Sequence, residues 1–398
     1  MLKKISISQV QSGMFIHSVE GRWAWRSRFA VDSEETLARV LRSGASECWI
    51  DVSLGRDVQP AQPQPAMAVA AGTPEPATSS NTARKSMASE LQNASSVLKR
   101  SRTVVMSLFS EARMGNAVKT DECMPLVNEV VQSVDHNADA LISLCRLKLA
   151  DEYTYMHSVS VCALMVSLGR QLGLDDALCR DAGLAGLLHD LGKAAMPQDV
   201  LNKPGQLTDE EFTVIKTHPV RGHEMLLQSG VDNERVLDVC RHHHERMDGT
   251  GYPDKLPGDG ISMIARMSAV CDVYDAITSN RPYKAGWDPA EAIARMASWQ
   301  GHFDQFALRT FVKTIGIYPV GSLVRMSSGK LGVIVEQNAQ KLTAPKVKLF
   351  FSTRSGMPLE PKLIDLMDPA VTDKIVAREP ADNWNFGYLN DLWATHIA

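Results

Sequence analysis

Seven of the chain's eleven histidines lie within 88 consecutive residues, from His157 to His244, on a stretch whose apolar spacing is helical throughout. That combination limits the fold more than any other feature. The helices must either gather these imidazoles in one place or satisfy each of them separately. Residues 151 to 316 contain few strand candidates, so an all-α core is the simplest arrangement. The segment SVSVCALMVSLG, residues 158 to 169, is apolar nearly all round. It reads as a buried central helix, too short and too serine-interrupted to cross a bilayer. Thr208 with Glu211 forms a capping box, Pro219 suits a first helical turn and Gly230 suits a helix end.

The flanks differ from this core. Residues 1 to 56 read as a small α+β unit, with ISISQV, GMFIHSV and ECWIDV as strands, and Asp32 with Glu35 as a capping box opening a helix that runs to about Arg42. Residues 57 to 83 are Pro, Ala, Gln, Ser and Thr with almost no large apolar side chain, a composition that cannot offset its own ordering entropy, so a flexible linker is expected. Residues 84 to 150 are helical and pack on the domain that follows. Beyond Tyr318 the pattern alternates, with SLVRM, an SSGK turn, LGVIVEQ and KVKLFF, which makes residues 317 to 398 a small β appendage and a mixed tail. The formal net charge is -4, which offers no electrostatic ground for nucleic acid. The start MLKKISISQV lacks the apolar stretch of a signal peptide, and no apolar run reaches the roughly 18 residues of a membrane span, so a cytoplasmic protein is expected. The seven cysteines (Cys48, Cys123, Cys145, Cys162, Cys179, Cys240, Cys271) contain no CxxC pair and read as small apolar fillers.

Metal chemistry is the best use for the histidine run. His189 and Asp190, near the end of an apolar helix in GLLHDLGK, would project about 100° apart, so that the carboxylate can serve a position beside the imidazole's. His157, His218, His243, His244 and Asp272 join them, and more than four ligands point to two ions. Imidazole and carboxylate without thiolate favour Fe, Mn or another first-row metal over structural zinc. Asp272 sits on a stripe of small residues, Ala265, Ala269 and Ala276, where an unpaired aspartate would be costly. Asp275, one turn on, could hydrogen-bond a ligand from behind. In NERVLDVCRHHH, His243 and His244 continue apolar lines while His242 follows Arg235 and Asp238, so His242 should face outward. His223 is expected to be structural, and His17, His136, His302 and His396 to be ordinary core or surface residues. In DGTGYP, residues 248 to 253, the glycines fit a tight turn or a close approach to ligand, and Tyr252 could lie near a base.

His157-Ser158, HDLGK at 189–193, His218-Pro219, HHE at 243–245 with DGTGYP, and DVYDAITSNRPYK at 272–284 together resemble the HD-GYP family. The resemblance covers residues 150 to 316 strongly. Residues 1 to 55 resemble, more weakly, an accessory domain of unknown role found ahead of it. It implies a mainly α protein with an all-helical HD-type phosphohydrolase domain, which hydrolyses cyclic di-GMP to pGpG with hydroxide activated by two metals, the further step to GMP being left open. It makes His157, His189, Asp190, His218, His243, His244 and Asp272 the metal ligands, with Asp190, Asp272 and Lys193 in the catalytic group. Lys193, Arg281 and Lys284 would contact phosphate, with Gly251, Tyr252 and Pro253 beside the substrate. Some members take a third metal on a glutamate one turn before the first histidine. Here that position is Tyr153, with Glu152 beside it facing elsewhere, so two ions are expected. Diguanylate cyclases docking on the GYP loop and a homo-oligomer are compatible partners. The alternatives are another cyclic dinucleotide such as cyclic GMP-AMP, or a sensing or docking module with little turnover.

Overall fold

The computed structural model describes residues 2–20, 29–41, 47–56, 85–147, 153–203, 205–279, 286–338, 340–380 and 383–394. The chain divides into two compact units, Met1–Ser80 and Asn81–Ala398. In the first, β1 (Leu2–Ser6), β2 (Phe15–Glu20), β3 (Phe29–Ala30) and β4 (Glu47–Asp51) form one sheet in the order β1-β4-β2-β3, accompanied by α1 (Glu34–Leu41). Alternation fits this sheet: Ile5, Ile16, Cys48 and Ile50 are buried and form a separate small core with Met14, Val31 and Val40. The cap of α1 is Ser33, not Asp32. The Ser33 hydroxyl accepts the Thr36 N–H at 3.1 Å, and its carbonyl accepts that of Leu37, a geometry open to a serine one residue nearer the helix. The expected linker lies outside the described residues.

The second unit begins with α2 (Met87–Arg113) and α3 (Met124–Arg146), packed along each other and on α4 (Tyr153–Leu172) and α5 (Asp176–Leu188). Near the start of α2, Glu90 is fully buried and accepts from Ser133 at 2.8 Å and Asn93 at 2.6 Å. At its far end, Arg113 reaches the Ala194 carbonyl at 3.5 Å, on the short 3-10 turn Leu191–Ala195 that follows α5. Helix α4 is buried on all sides from Tyr155 to Leu168, as a composition apolar nearly all round requires.

Short helices α6 (Gln198–Leu201) and α7 (Asp209–Ile215) lead to α8 (His218–Gln228), α9 (Glu234–His242), α10 (Met263–Thr278), α11 (Pro289–Ser298) and α12 (Gln305–Ile315). Thr208 and Glu211 make the reciprocal capping box of α7, and Pro219 lies in the first turn of α8. Five strands follow: β5 (Leu323–Met326), β6 (Lys330–Glu336), β7 (Lys346–Ser352), β8 (Met357–Asp365) and β9 (Ile375–Arg378), with α13 (Asp391–Ala394) closing the chain. Their antiparallel order is β8-β7-β6-β5-β9. β8 carries Pro358 and Pro361, and its edge position leaves their missing N–H groups without consequence. Among the described residues, no helix is long and apolar enough to cross a membrane.

Candidate metal centre

α5 ends at Leu188, so His189 is its C-cap and Asp190 (φ -98, ψ 10) has already left the helix. Gly192 does not simply end the helix. A Cβ there would stand 1.9 Å from the His218 carbonyl and 2.5 Å from the Gly222 nitrogen, so the absence of a side chain lets the 3-10 turn lie against α8. That main-chain contact brings His189, Asp190 and His218 to one point. Helix α4 supplies His157, one turn inside its start, and α10 supplies Asp272. α9 ends at His242, leaving His243 as its C-cap and His244 in the turn beyond. His157, His189, Asp190, His218 and His243 are each at most 3% exposed and Asp272 6%.

The seven residues form two groups whose potential ligand atoms lie within 4.8 Å of one another: Asp190 with His218, His243 and His244, and His157 with His189 and Asp272. Asp190 links them, with Oδ1 3.2 Å from His218 Nε2 and Oδ2 3.4 Å from both His157 Nε2 and His189 Nε2. Asp272 Oδ1 stands 3.0 Å from His157 Nε2 and 3.7 Å from His189 Nε2.

Ring orientation is set from behind. His189, His218 and His243 donate Nδ1–H to the carbonyls of Gly186, Ile215 and Val239 at 2.7, 2.7 and 3.0 Å. His157 Nδ1 meets Asp275 Oδ2 at 2.7 Å, and Ser160 donates to the other oxygen of that carboxylate. With Nδ1 holding the proton, Nε2 is left as a bare donor atom aimed at the cluster. The Nε2 atoms of His218 and His243 face each other at 3.2 Å, and that of His189 is buried with no hydrogen-bond partner among the described residues. Two lone pairs so placed repel unless a cation lies between them, so this donor set fits metal ions.

The charges agree. Burial alone would neutralise Asp190, but Lys193 Nζ, 2.5 Å from its Oδ2, and the neighbouring histidines hold the carboxyl well below the usual range. Asp272 is likewise held ionised against burial by His157 and His189. Burial and its imidazole neighbours keep His243 neutral, and burial keeps His244 neutral. For His189 burial opposes charge, but Asp190 and Asp272 outweigh it and push the ring up to about 9 when no cation serves those carboxylates.

Other expected site residues divide. Tyr252 stacks on His244, ring centres 4.7 Å apart at 29°. Gly251 is buried at a close approach, since a Cβ would stand 2.5 Å from both the Arg246 nitrogen and Glu245 Cα. Pro253 follows on the same loop. Arg281 and Lys284 lie outside the described residues, as do Glu152 and the side chains of Tyr153, His17 and His396. His223 belongs to neither group. His242 does not point freely outward: its side chain, 17% exposed against 23% for His244, is clasped between Asp238 at 2.6 Å and Asp254 at 2.9 Å. Hydrogen bonding to two carboxylates, not exposure, separates it from His244. Glu245 carries a role the sequence had not suggested. Only 2% exposed, it accepts the Asp254 N–H at 2.7 Å and the Leu256 N–H at 3.1 Å, holding the 248–256 loop beside His244.

An HD domain family profile matches residues 134–306, and one for a domain of unknown function matches residues 2–123, past the first unit and through α2. The chain is 51% identical over 401 residues to cyclic di-GMP phosphodiesterase PA4108 of Pseudomonas aeruginosa, covering 99% of this chain and 96% of that protein. It is 42% identical over 168 residues to the cyclic di-GMP phosphodiesterase response regulator RpfG of Xanthomonas campestris, covering 40% of this chain and 43% of RpfG. It is 37% identical over 142 residues to 3'3'-cGAMP-specific phosphodiesterase 1 of Vibrio cholerae, covering 36% of this chain and 33% of that protein. With its histidine and aspartate cluster and full-length likeness to PA4108, the chain belongs to the HD-GYP family of HD-domain phosphohydrolases, which bind divalent metal ions.

Proposed function

We propose that this chain is a metal-dependent phosphodiesterase that hydrolyses cyclic di-GMP to linear pGpG. The observation that carries this is the convergence of seven imidazole and carboxylate side chains in two linked groups. His157, His189 and Asp272 would hold one divalent ion, and His218, His243 and His244 a second, with Asp190 between them. Fe or Mn suits this thiolate-free set. Such ions, when bound, supply Lewis-acid stabilisation of phosphoryl oxygens and acidify water enough to attack at neutral pH.

The protein's own groups do the rest. Asp190 and Asp272 remain ionised and so keep the site ready for cations. Lys193, anchored on Asp190 yet 24% exposed, directs an ammonium toward a phosphoryl oxygen of the substrate. Arg281 and Lys284 follow α10 and add two further phosphate contacts. Glu245 holds the GYP loop, keeping Tyr252 against His244 and its ring close to the nucleotide. The exposed outer side of that loop, with Asp248, Thr250, Asp254 and Lys255, is the surface a diguanylate cyclase would dock on. A cytoplasmic enzyme acting on a bacterial second messenger is consistent with all of this.

A second substrate, 3'3'-cGAMP, is favoured by the match of residues in this domain to a cGAMP-specific enzyme. Anaerobic purification with metal analysis, followed by parallel assays on both cyclic dinucleotides resolved into linear dinucleotide and mononucleotide, tests the assignment. Two ions per chain and faster turnover of cyclic di-GMP are expected. Absence of hydrolysis by metal-loaded protein would overturn it.

A further inference from the structure

Outside the cluster, Phe212 and Lys216 stand beside Tyr252 and have no part in the chemistry above. Lys216 follows α7, one turn after Phe212, so the two share a face. Its Nζ stands 4.5 Å from the centre of the Phe212 ring and 5.7 Å from that of Tyr252. Tyr252 is itself stacked on His244. A line of π faces and one cation therefore leads from the metal cluster to the surface. Phe212 is 45% exposed, so part of its ring face is open to a ligand. Lys216 is exposed too, and its ammonium makes no ion pair among the described residues. The support beneath them is firm: Lys203 binds both oxygens of Glu211 at 2.7 and 2.6 Å, and Glu211 closes the capping box with Thr208.

We propose that Phe212 and Lys216, with Tyr252, form a subsite for one guanine base of the substrate, and that Lys216 sets the preference for guanine over adenine. This deepens the assignment made above and rests on it. A diester whose reacting phosphate lies at the cluster carries its base one nucleotide's length away, on the side where Tyr252 leads. An exposed aromatic face stacks any base. An ammonium is more selective, because it only donates. The outer edge of guanine presents two acceptors, N7 and O6, whereas adenine presents N7 beside an amino donor. A cation resting on an exposed ring is weakly held, so Lys216 can turn to such an edge at little cost.

The test compares wild type, Lys216→Met and Phe212→Ala on three substrates: cyclic di-GMP, cyclic di-AMP and the base-free diester bis(p-nitrophenyl) phosphate, with bound metal and Tm measured alongside. Lys216→Met should lower kcat/KM for cyclic di-GMP about tenfold, mainly through KM, and narrow the ratio of cyclic di-GMP to cyclic di-AMP turnover. Phe212→Ala should lower both cyclic dinucleotides alike. Metal content and Tm should stay at wild-type values, with hydrolysis of the base-free diester little affected. Unchanged kcat/KM for cyclic di-GMP, or an equal loss on the base-free diester, would overturn the subsite while leaving the assigned function standing. If wild type cleaves the base-free diester and leaves cyclic di-GMP intact, the assigned function fails and the subsite with it.

Discussion

His218 and His243 are held by one device, an Nδ1–H given to a carbonyl three or four residues back in the chain, which turns both Nε2 atoms inward. His242 uses both ring nitrogens on Asp238 and Asp254 instead, so it joins α9 to the GYP loop. His243→Ala or His244→Ala is therefore expected to cost at least one ion per chain and most of the activity, because an incomplete ligand set binds metal poorly. His242→Ala should keep the metal, as read by elemental analysis, and keep the rate within a few-fold. Equal loss at all three positions would contradict the division. The cluster was legible in the sequence because buried histidines and aspartates on apolar helices are costly unless used. Glu245, Phe212 and Lys216 were not, since an acid, an aromatic and a lysine are ordinary on a surface and only folding puts one under the loop and two beside Tyr252.

The 3-10 turn after α5 depends on a glycine contact, and this can be tested at the scale of that element. Gly192→Ala forces a methyl into the His218 carbonyl, and such overpacking against main chain should cost about 3 kcal/mol or more, visible as a lower Tm and as lost metal. Gly260→Ala, whose added carbon meets nothing nearer than 3.7 Å, is the matched control and should change stability by less than about 0.5 kcal/mol. His302, just before α12, gives a pH-dependent case. Burial and the nearby Arg246 lower its pKa to about 4, below the ordinary value of about 6.5 for an unfolded chain. The unfolded state thus takes up the proton first, so stability falls as pH drops from about 6.5 toward 4 and the loss levels off below that. His302→Phe should remove this component, so the Tm difference between wild type and variant should shift in favour of the variant across that window. A constant difference would refute it. Periodicity made the helices and β5 to β7 legible. β8 was hidden by its two prolines, which argue against a strand unless its edge position is known. Ser33 and Asp32 are both good caps, and which one the helix uses depends on packing.

At the scale of the whole molecule, the two units have separate cores, one of strands around Ile16 and Ile50 and one of helices around α4. A chain beginning at Asn81 retains every proposed ligand and should keep wild-type metal content and measurable hydrolysis. Loss of metal from a truncation with native circular dichroism would show that the first unit completes the site. Helix α2 has a mechanical consequence for that arrangement. Its 27 residues extend about 40 Å at 1.5 Å each, without a joint, from the end of the chain segment that follows the first unit to the carbonyl of Ala194, one residue from Lys193. A displacement of its near end along the axis would therefore be felt at the turn that carries Lys193, for which we propose a phosphate contact.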